Sequence, residues 1–304
     1  APVAAAFADK FPRRSMLVTL DLVRALVAIA LPFVTQIWEI YILIFILQAA
    51  SAAFTPTFQA TIPDILPDER EYTRALSLSR LAYDLESVIS PMLAAALLTV
   101  MSFHNLFAGT AVGFLASAAL VVSVTLPKMK ALTVKRSIYD KTTRGMRIFL
   151  KTPRLRGLLA LNMAVAAASA MVIVNTVVLV QADFGFSQRS TAIALAFFGV
   201  GSMVSALVLP RLLDNMSDRM PMLAGTALLV IGLGSGIFLK DYITLVVLWA
   251  LLGVGYSLSQ TPGGRLLRRS STAEDRPALF AAQFALSHAC WLICYPLAGR
   301  FGAA

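Results

Sequence analysis

Charged residues, cysteines and histidines are all scarce in this chain of 304 residues. Only 14% of the residues are charged while 58% are hydrophobic, and there are two cysteines and two histidines. A soluble domain of this length could not bury so much apolar surface. A disulfide framework or a structural zinc site needs more cysteine and histidine than this. The composition therefore argues against a soluble domain and indicates a protein embedded in lipid.

Motifs that mark the common enzymes and nucleotide-driven machines are also missing. The sequence contains no G-x-x-x-x-G-K-[ST] phosphate loop, no H-E-x-x-H pair and no nucleophile elbow. The string GVGYS at residues 253–257 lies inside an apolar stretch, so it favours close helix packing over phosphate binding. We therefore expect no enzymatic activity, no cofactor and no metal.

Nine apolar stretches are long enough to cross about 30 Å of hydrocarbon as helices. They run over residues 16–34, 40–63, 74–100, 103–126, 158–180, 190–213, 220–239, 243–260 and 277–298. Residues 1–8 form an apolar stub that would rise only about 12 Å as a helix. We expect an all-α integral membrane protein with about nine full transmembrane helices, in a chain that begins inside a further helix.

Basic residues lie almost entirely in the loops of one side. If the stub leaves the membrane on the cytoplasmic side, the loops there hold 21 lysines and arginines, and the opposite loops hold three. This bias predicts the orientation by the positive-inside rule, in a multi-pass protein of the bacterial plasma (inner) membrane. Residues 127–156 form a basic cytoplasmic linker with a single acid, Asp140. Both an interfacial amphipathic helix and a solvated linker fit its pattern, and nucleic-acid binding is disfavoured because aromatic residues are sparse there.

Short strings recur along the chain at nearly one spacing. ADKFP at residues 8–12 returns as SDRMP at 217–221, Thr55-Pro56 returns at Thr261-Pro262, and a proline segment around Pro91 returns around Pro296. The copies are about 205 to 209 residues apart and keep the same order. Parallel repeats of this size in a membrane protein are typical of two-lobed secondary transporters.

The first of these strings carries a family resemblance. The stretch A-A-F-A-D-K-F-P-R-R at residues 5–14 is similar to the signature G-x-L-a-D-R-x-G-R-R of the major facilitator superfamily, although Ala5 and Pro12 replace its glycines. Residues 54–76 resemble the bacterial drug and siderophore exporter branch. The resemblance implies a two-lobed helical bundle of parallel six-helix repeats, without helices 1 and 12. It divides the chain into an N-terminal lobe (1–126, end of helix 2 to helix 6), the linker (127–156) and a C-terminal lobe (157–304, helices 7 to 11).

The same resemblance implies a gating role for the charged residues of the signature loop and of its second copy. In the family these residues form a latch that steadies one conformation and breaks on switching. The alternative is that they only set the topology. They are Asp9, Lys10, Arg13, Arg14, Asp218 and Arg219.

Five ionisable residues lie inside predicted spans, where each is a functional candidate because charge is costly in hydrocarbon. Asp21 and Arg24 are three apart and Arg80 and Asp84 are four apart, so each couple can pair on one helix face. Glu86 lies about 240° around the helix from Arg80 and about 18 Å into the membrane, near its midplane.

We hypothesise that Glu86, together with Asp84, couples proton movement to substrate movement, since a carboxyl group at that depth is suited to load and release a proton. A pair with a charge on another helix, and a contact with a cationic substrate, stay open as alternatives. Pro91 and Pro296 are predicted to kink their helices, with plain packing as the alternative.

The sequence therefore predicts a secondary active transporter that works by alternating access. Proton-coupled efflux of a small organic molecule, drug-like or siderophore-like, is the leading hypothesis. Uptake, lysophospholipid flipping, and a non-transporting sensor or scaffold of the same fold are the alternatives. The expected partners are the substrate, protons and the lipid bilayer, with no nucleic acid, and the protein is expected to be a monomer.

The charge bias makes a direct prediction about sidedness. With Cys290 and Cys294 replaced by serine, a membrane-impermeant maleimide should label Lys240→Cys in intact cells. It should label Lys135→Cys only after the membrane is permeabilised, because that residue lies in the predicted cytoplasmic linker. Labelling of position 135 in intact cells would contradict the predicted topology.

Overall fold

The protein is described by a computed structural model that covers residues 12–124, 126 and 138–302, without the side chains of residues 88, 91, 92, 95, 96, 138 and 141. Regular structure in these ranges is helical throughout. The α-helices are α1 (Arg13–Ala30), α2 (Ile37–Ile65), α3 (Glu69–Leu97), α4 (Phe103–Ser123), α5 (Ile138–Lys151), α6 (Pro153–Val177), α7 (Gln188–Asn215), α8 (Arg219–Ser235), α9 (Tyr242–Gln260), α10 (Gly263–Arg269) and α11 (Arg276–Gly302).

Three helices change their winding in the last turn. A 3₁₀ turn, Leu31–Phe33, extends α1, and another, Gly236–Phe238, extends α8. A π-helical segment, Val178–Asp183, extends α6. Two helix starts, those of α7 and α9, are capped by a polar side chain. In α9, the Asp241 side chain accepts a hydrogen bond from the Thr244 amide at 2.8 Å.

Hydropathy and helix length agree over most of the chain. Within the described residues, eight helices are long and apolar enough to cross a membrane, which confirms the predicted all-α membrane fold. They coincide with eight of the nine predicted spans. The remaining predicted span, residues 74–100, lies largely on α3. This helix has 29 residues, enough to cross a membrane, but it is not one of the eight helices that are also apolar enough. This helix carries Arg80, Asp84 and Glu86, and it contains the most informative polar groups of the molecule.

The described helices form two compact units. Unit 1 comprises residues 12–67, 92–124, 126, 138–151 and 271–285. In it, α1 packs against α2 and α4 through small buried side chains, among them Ala25, Ala28, Ala111 and Ala118. Small residues let helix axes approach closely, which is how helices associate where lipid provides no hydrophobic driving force.

Unit 2 comprises residues 68–91, 152–270 and 286–302, and its centre is α9. This helix packs against α6, α7 and α8, with Leu245, Trp249 and Leu252 in the buried core. The Trp249 indole N–H donates to the Thr176 hydroxyl at 2.7 Å, so the polar group of this buried ring is satisfied.

Two glycines set the distance between α7 and α9. A methyl group on Gly201 would overlap the backbone carbonyl of Ala250, and one on Gly253 would overlap the carbonyl of Phe198. Backbone atoms cannot move aside as a flexible side chain can, so both positions require glycine for this approach. The prediction that residues 253–257 serve helix packing agrees with this contact.

Gly253→Ala should therefore lower the free energy of unfolding by about 1–3 kcal/mol, the usual cost of overpacking a close contact. Gly234→Ala is the matched control, because nothing lies within 4 Å of a methyl group there and alanine is the better helix former. Unfolding of the purified protein in detergent measures both. Equal stability of the two variants would show that the α7–α9 contact does not limit residue size.

Candidate functional site

Helix α3 presents three different faces along the stretch that crosses the predicted membrane. One face is polar and packs inside unit 2: Thr73, Ser77 and Asp84 are buried, and Arg80 is half-buried. A second is exposed and apolar: Leu78, Ala82, Leu85 and Ile89. The third is exposed and polar: Ser79, Tyr83, Glu86 and Ser90, which we call the polar strip. The i, i+3 and i, i+4 spacing within each set places its members on one side of the helix.

The buried face contains an ion pair held by two further helices. The Arg80 guanidinium contacts both carboxylate oxygens of Asp84, with Nε 3.1 Å from Oδ2. Ser202 on α7 donates its hydroxyl to the same carboxylate. On α9, the Tyr256 hydroxyl accepts from Arg80 at 3.1 Å, and its ring centroid lies 4.2 Å from the guanidinium carbon. The charges of Arg80 and Asp84 therefore cancel, and each side chain is also hydrogen-bonded to a neighbouring helix.

Sequence reasoning singled out Arg80 and Asp84 but missed Ser202 and Tyr256. Tyr256 lies within GVGYS, a string whose glycines predict close helix packing and give no sign of a polar contact. Ser202 directly follows Gly201, which lies against the backbone of α9. A small polar residue next to such a glycine is the feature of the sequence that could have indicated a neighbouring helix there. Neither signal identifies the partner, since the partner is on a different helix.

Glu86 has a different environment from Asp84. Its side chain is exposed, as are those of the rest of the polar strip, and it interacts electrostatically with Tyr83. In the part of the chain that the structure describes, no cationic side chain forms an ion pair with it. Of the two carboxylates that the sequence proposed for coupling, Asp84 is paired with Arg80, and Glu86 is exposed and forms no ion pair among the described residues.

The second intramembrane pair lies in unit 1. Arg24 donates to Asp21, and Asp21, which is completely buried, also accepts a hydrogen bond from the Ser117 hydroxyl on α4. The Arg24 guanidinium lies between two aromatic rings, 4.0 Å from the centroid of Phe54 and 4.6 Å from that of Phe114. This arrangement ties α1 to α2 and α4 and leaves no net charge.

The signature loop is described only from residue 12, so Asp9 and Lys10 lie outside the described residues. Arg13 is buried and forms an ion pair with Asp64 at the end of α2. Asp64 also pairs with Arg276, the first residue of α11. Arg14 is exposed and donates to the backbone carbonyl of Val124. Asp64 was not among the predicted site residues, although it lies within residues 54–76, the segment that resembles the exporter branch.

The second copy of the loop lies in unit 2 within a cluster of opposite charges. Arg265 contacts Asp218 at 2.9 Å and Glu69 at 2.7 Å, and Arg269 contacts Asp218 at 2.6 Å and Glu69 as well. Burial raises the pKa of Asp218 above its ordinary value, even though the two arginines act in the opposite direction. Arg219 is exposed. We call Glu69, Asp218, Arg265 and Arg269 the unit 2 ion cluster.

The two prolines that were predicted to kink their helices, Pro91 and Pro296, lie on α3 and α11. Pro296 lies inside α11, whose helix continues through it, and the side chain of Pro91 lies outside the described residues. Across residues 12–124, 126 and 138–302, no group of three or more His, Cys, Asp or Glu side chains is arranged to hold a metal ion.

Long apolar helices that enclose buried ion pairs are the features of a multi-pass membrane transporter. The family model of the Major Facilitator Superfamily matches residues 1–176 and 158–304. The chain belongs to this superfamily, which confirms the resemblance found in the signature loop.

Individual relatives are distant. The chain is 23% identical over 292 residues to the uncharacterized MFS-type transporter YfiS of Bacillus subtilis, covering 92% of this chain and 69% of that protein. It is 25% identical over 133 residues to macrolide efflux protein A of Enterococcus faecalis, a match that covers 42% of this chain and 41% of the relative. The second match agrees with the exporter branch predicted from residues 54–76.

Solved structures share the fold at low identity. The Escherichia coli fucose:proton symporter superposes with a TM-score of 0.77 and 12% identity, covering 97% of this chain and 79% of the symporter. The human organic anion transporter MFSD10 superposes with a TM-score of 0.71 and 14% identity, covering 100% of this chain and 75% of the transporter. At these identities the likeness establishes the fold alone.

The unit 2 ion cluster should stabilise the folded state. Arg265→Gln removes a buried cation from Asp218 and Glu69, and we expect the free energy of unfolding to fall by about 3 kcal/mol, the low end for breaking a buried pair, because Arg269 keeps its contacts. Arg219→Gln is the matched control and should change it by about 0.5 kcal/mol or less, since Arg219 is exposed. Equal losses would contradict a specific role for the cluster.

The cost of Arg265→Gln should also depend on pH. Because the pKa of Asp218 is raised in the folded state, this carboxylate takes up a proton at a higher pH than an ordinary aspartate does. Below that folded-state pKa its attraction to Arg265 is lost. The difference in unfolding free energy between the parent protein and the variant should therefore shrink as the pH falls. A difference that grows on acidification would contradict this assignment.

Proposed function

We propose that the protein exports a small organic molecule across the bacterial plasma membrane in exchange for protons. In this proposal the lobes at residues 1–126 and 157–304 alternate in access to the two sides, and the linker at 127–156 is cytoplasmic. Membership of the superfamily supports transport, and the distribution of basic residues supports the orientation.

The polar strip on α3 is the observation that carries the proposal. A helix surface that faces lipid is apolar, because an unpaired polar or charged group in hydrocarbon costs several kcal/mol. Leu78, Leu85 and Ile89 meet that requirement on one exposed face. Ser79, Glu86 and Ser90 on the adjacent exposed face do not, so that face requires water or a polar ligand. A wet polar surface at membrane depth is what a transport path needs.

Glu86 is the group in this strip that we assign to proton coupling. A coupling carboxylate has to exchange protons with water and must not be held by a permanent counter-ion. Glu86 is exposed and meets both conditions among the described residues, whereas Asp84 is 3% exposed and is bonded to Arg80 and Ser202. Tyr83, three residues before Glu86 on the same helix, is the titratable group with which Glu86 interacts, and Arg80, Tyr256 and Tyr295 also act on Tyr83.

Export as the direction is supported by the relatives. The macrolide efflux proteins of Enterococcus faecalis and Streptococcus pyogenes match 42% of this chain. The resemblance to the same branch supports a drug-like or siderophore-like substrate.

The charged loops form ion pairs between helices, and a conformational switch would break these ion pairs. Arg13 joins α1 to Asp64, and Asp218 joins the start of α8 to Arg265 and Arg269. We assign Arg13, Arg14, Asp218 and Arg219 to gating, together with Asp9 and Lys10 of the signature loop. Pro91 and Pro296 are the helix positions that we assign to bending in the two repeats.

The proposal is tested with the complete gene in a bacterial host that lacks its own drug pumps. Cells that express the parent protein should accumulate less of at least one dye, antimicrobial or siderophore, and a proton uncoupler should abolish the difference. Glu86→Gln should abolish it as well, because a neutral amide cannot exchange a proton.

The matched control is Glu71→Gln, the same substitution in the exposed first turn of the same helix, and it should export normally at equal membrane level. Uncoupler-sensitive export that survives in Glu86→Gln would remove Glu86 from the coupling step. If no compound on the panel changes, export loses its support, and uptake or lipid movement moves ahead.

A further inference from the structure

Helix α5, in the basic linker, has an exposed surface that is apolar on one side and cationic on the next. We propose that this surface binds the anionic phospholipids of the cytoplasmic leaflet. The apolar side chains enter the upper part of the acyl chains, and the cations contact the phosphates. The inference uses the cytoplasmic side that is proposed for the linker. It does not depend on the substrate or on the coupling ion.

One side of α5 is fixed to the start of α11. A methyl group on Gly145 would overlap the backbone carbonyl of Ala278, so the two helices are in direct backbone contact there. Phe149, one turn further along α5, is completely buried. Arg144 forms an ion pair with Asp275, which lies just before α11, and its Nη2 is 3.0 Å from Oδ2 of Asp275. These contacts hold α5 in one place and orientation on unit 1.

The contact with α11 also sets the depth of α5. Helix α11 is long and apolar enough to cross a membrane, and it begins at Arg276. Ala278 is therefore in the first turn of a membrane span. At its other end, α5 is followed closely by a second span, since α6 begins at Pro153, two residues after Lys151. Both neighbours start to cross the membrane beside α5, which places α5 at the boundary between lipid and water.

Another side of α5 is an exposed apolar strip. Tyr139, Met146 and Leu150 follow each other at spacings of seven and four residues, which puts them on one face of a helix. Tyr139 is 77% exposed, Leu150 is 48% exposed and Met146 is half-buried. At the membrane boundary this strip is removed from water, and tyrosine is a side chain that is enriched there.

Cations flank the apolar strip. Arg147 and Lys151 are four residues apart, next to the strip, and both are exposed. Lys151 forms no ion pair among the described residues. Arg147 pairs with Asp140, but both side chains are partly exposed, and such a pair contributes little stability. A phosphate group can therefore contact both cations at little cost in existing interactions.

The two features together select one occupant for the surface. The linker, residues 127–156, has ten basic residues and one acid, so its charge is complementary to a negatively charged surface. A linker surrounded by water would leave the apolar strip exposed to solvent. A zwitterionic lipid surface would cover the strip but would not match the charge. Anionic phospholipid satisfies both the strip and its cationic flank.

Contact with lipids of different headgroup charge tests this inference directly. In the complete protein, with Cys290 and Cys294 replaced by serine, Leu150→Cys carries the fluorophore nitrobenzoxadiazole. The protein is reconstituted in phosphatidylcholine vesicles that contain an equal small fraction of a chain-spin-labelled quencher, either phosphatidylcholine or phosphatidylglycerol. Both lipids should quench the fluorophore, and phosphatidylglycerol should quench it at least about twofold more, because the cations enrich it beside α5. High salt should reduce this excess.

Two matched pairs of substitutions separate the α5 cations from net charge. Arg147→Gln with Lys151→Gln should make the two lipids quench equally. Arg74→Gln with Arg211→Gln removes two exposed cations elsewhere on the same predicted side and should keep the excess. All variants should have the melting temperature of the parent protein.

The inference is wrong if neither lipid quenches the fluorophore, because the strip would then face water or another part of the protein. It is also wrong if both lipids quench the parent protein equally, or if the excess survives loss of the two α5 cations. The measurement needs no substrate and no proton gradient. Failure of the export assay would therefore overturn the proposed function and leave this inference standing.

Discussion

The structure depends on one constraint: a polar group at membrane depth must be bonded to protein or in contact with water. Helix α3 satisfies it in both ways on adjacent faces. Arg80 and Asp84 bond to each other and to Ser202 and Tyr256 on neighbouring helices. Glu86 has no such partner within the described residues and is exposed, and we propose that its face is in contact with water. The contrast between these two carboxylates on one helix underlies the functional account.

Charged groups elsewhere in the protein are bonded to other protein groups, as Arg80 and Asp84 are. Asp21 and Arg24 neutralise each other between aromatic rings in unit 1. Near the helix ends, Asp64 joins two arginines in unit 1, and Asp218 does the same in unit 2. A carboxylate that pairs with two cations stabilises the arrangement in which both contacts are made. Removing one cation is costly, because it leaves a buried charge only partly compensated. Ties of this kind suit a protein that must hold one of two states.

The sequence predicted the helices and the family better than it predicted the site. Long apolar stretches and the signature loop are local features, and so is the spacing that puts Asp84 within reach of Arg80. The partners that define the site come from other helices. Ser202 is 118 residues from Asp84 along the chain, and Tyr256 is 176 residues from Arg80. Helical periodicity shows which residues share a face, but it does not show which helix the face meets. The difference between Asp84 and Glu86 therefore required the structure.

The most direct test of this account is the water accessibility of α3, one face at a time. Single cysteines at positions 79, 83, 86 and 90, and at 78, 82, 85 and 89, would be treated in native membranes with a small charged thiol reagent, after Cys290 and Cys294 are replaced by serine. The account predicts rapid reaction at the first set and little at the second. Equal reaction on both faces, or reaction confined to the apolar face, would mean that the polar strip does not line a water-filled path.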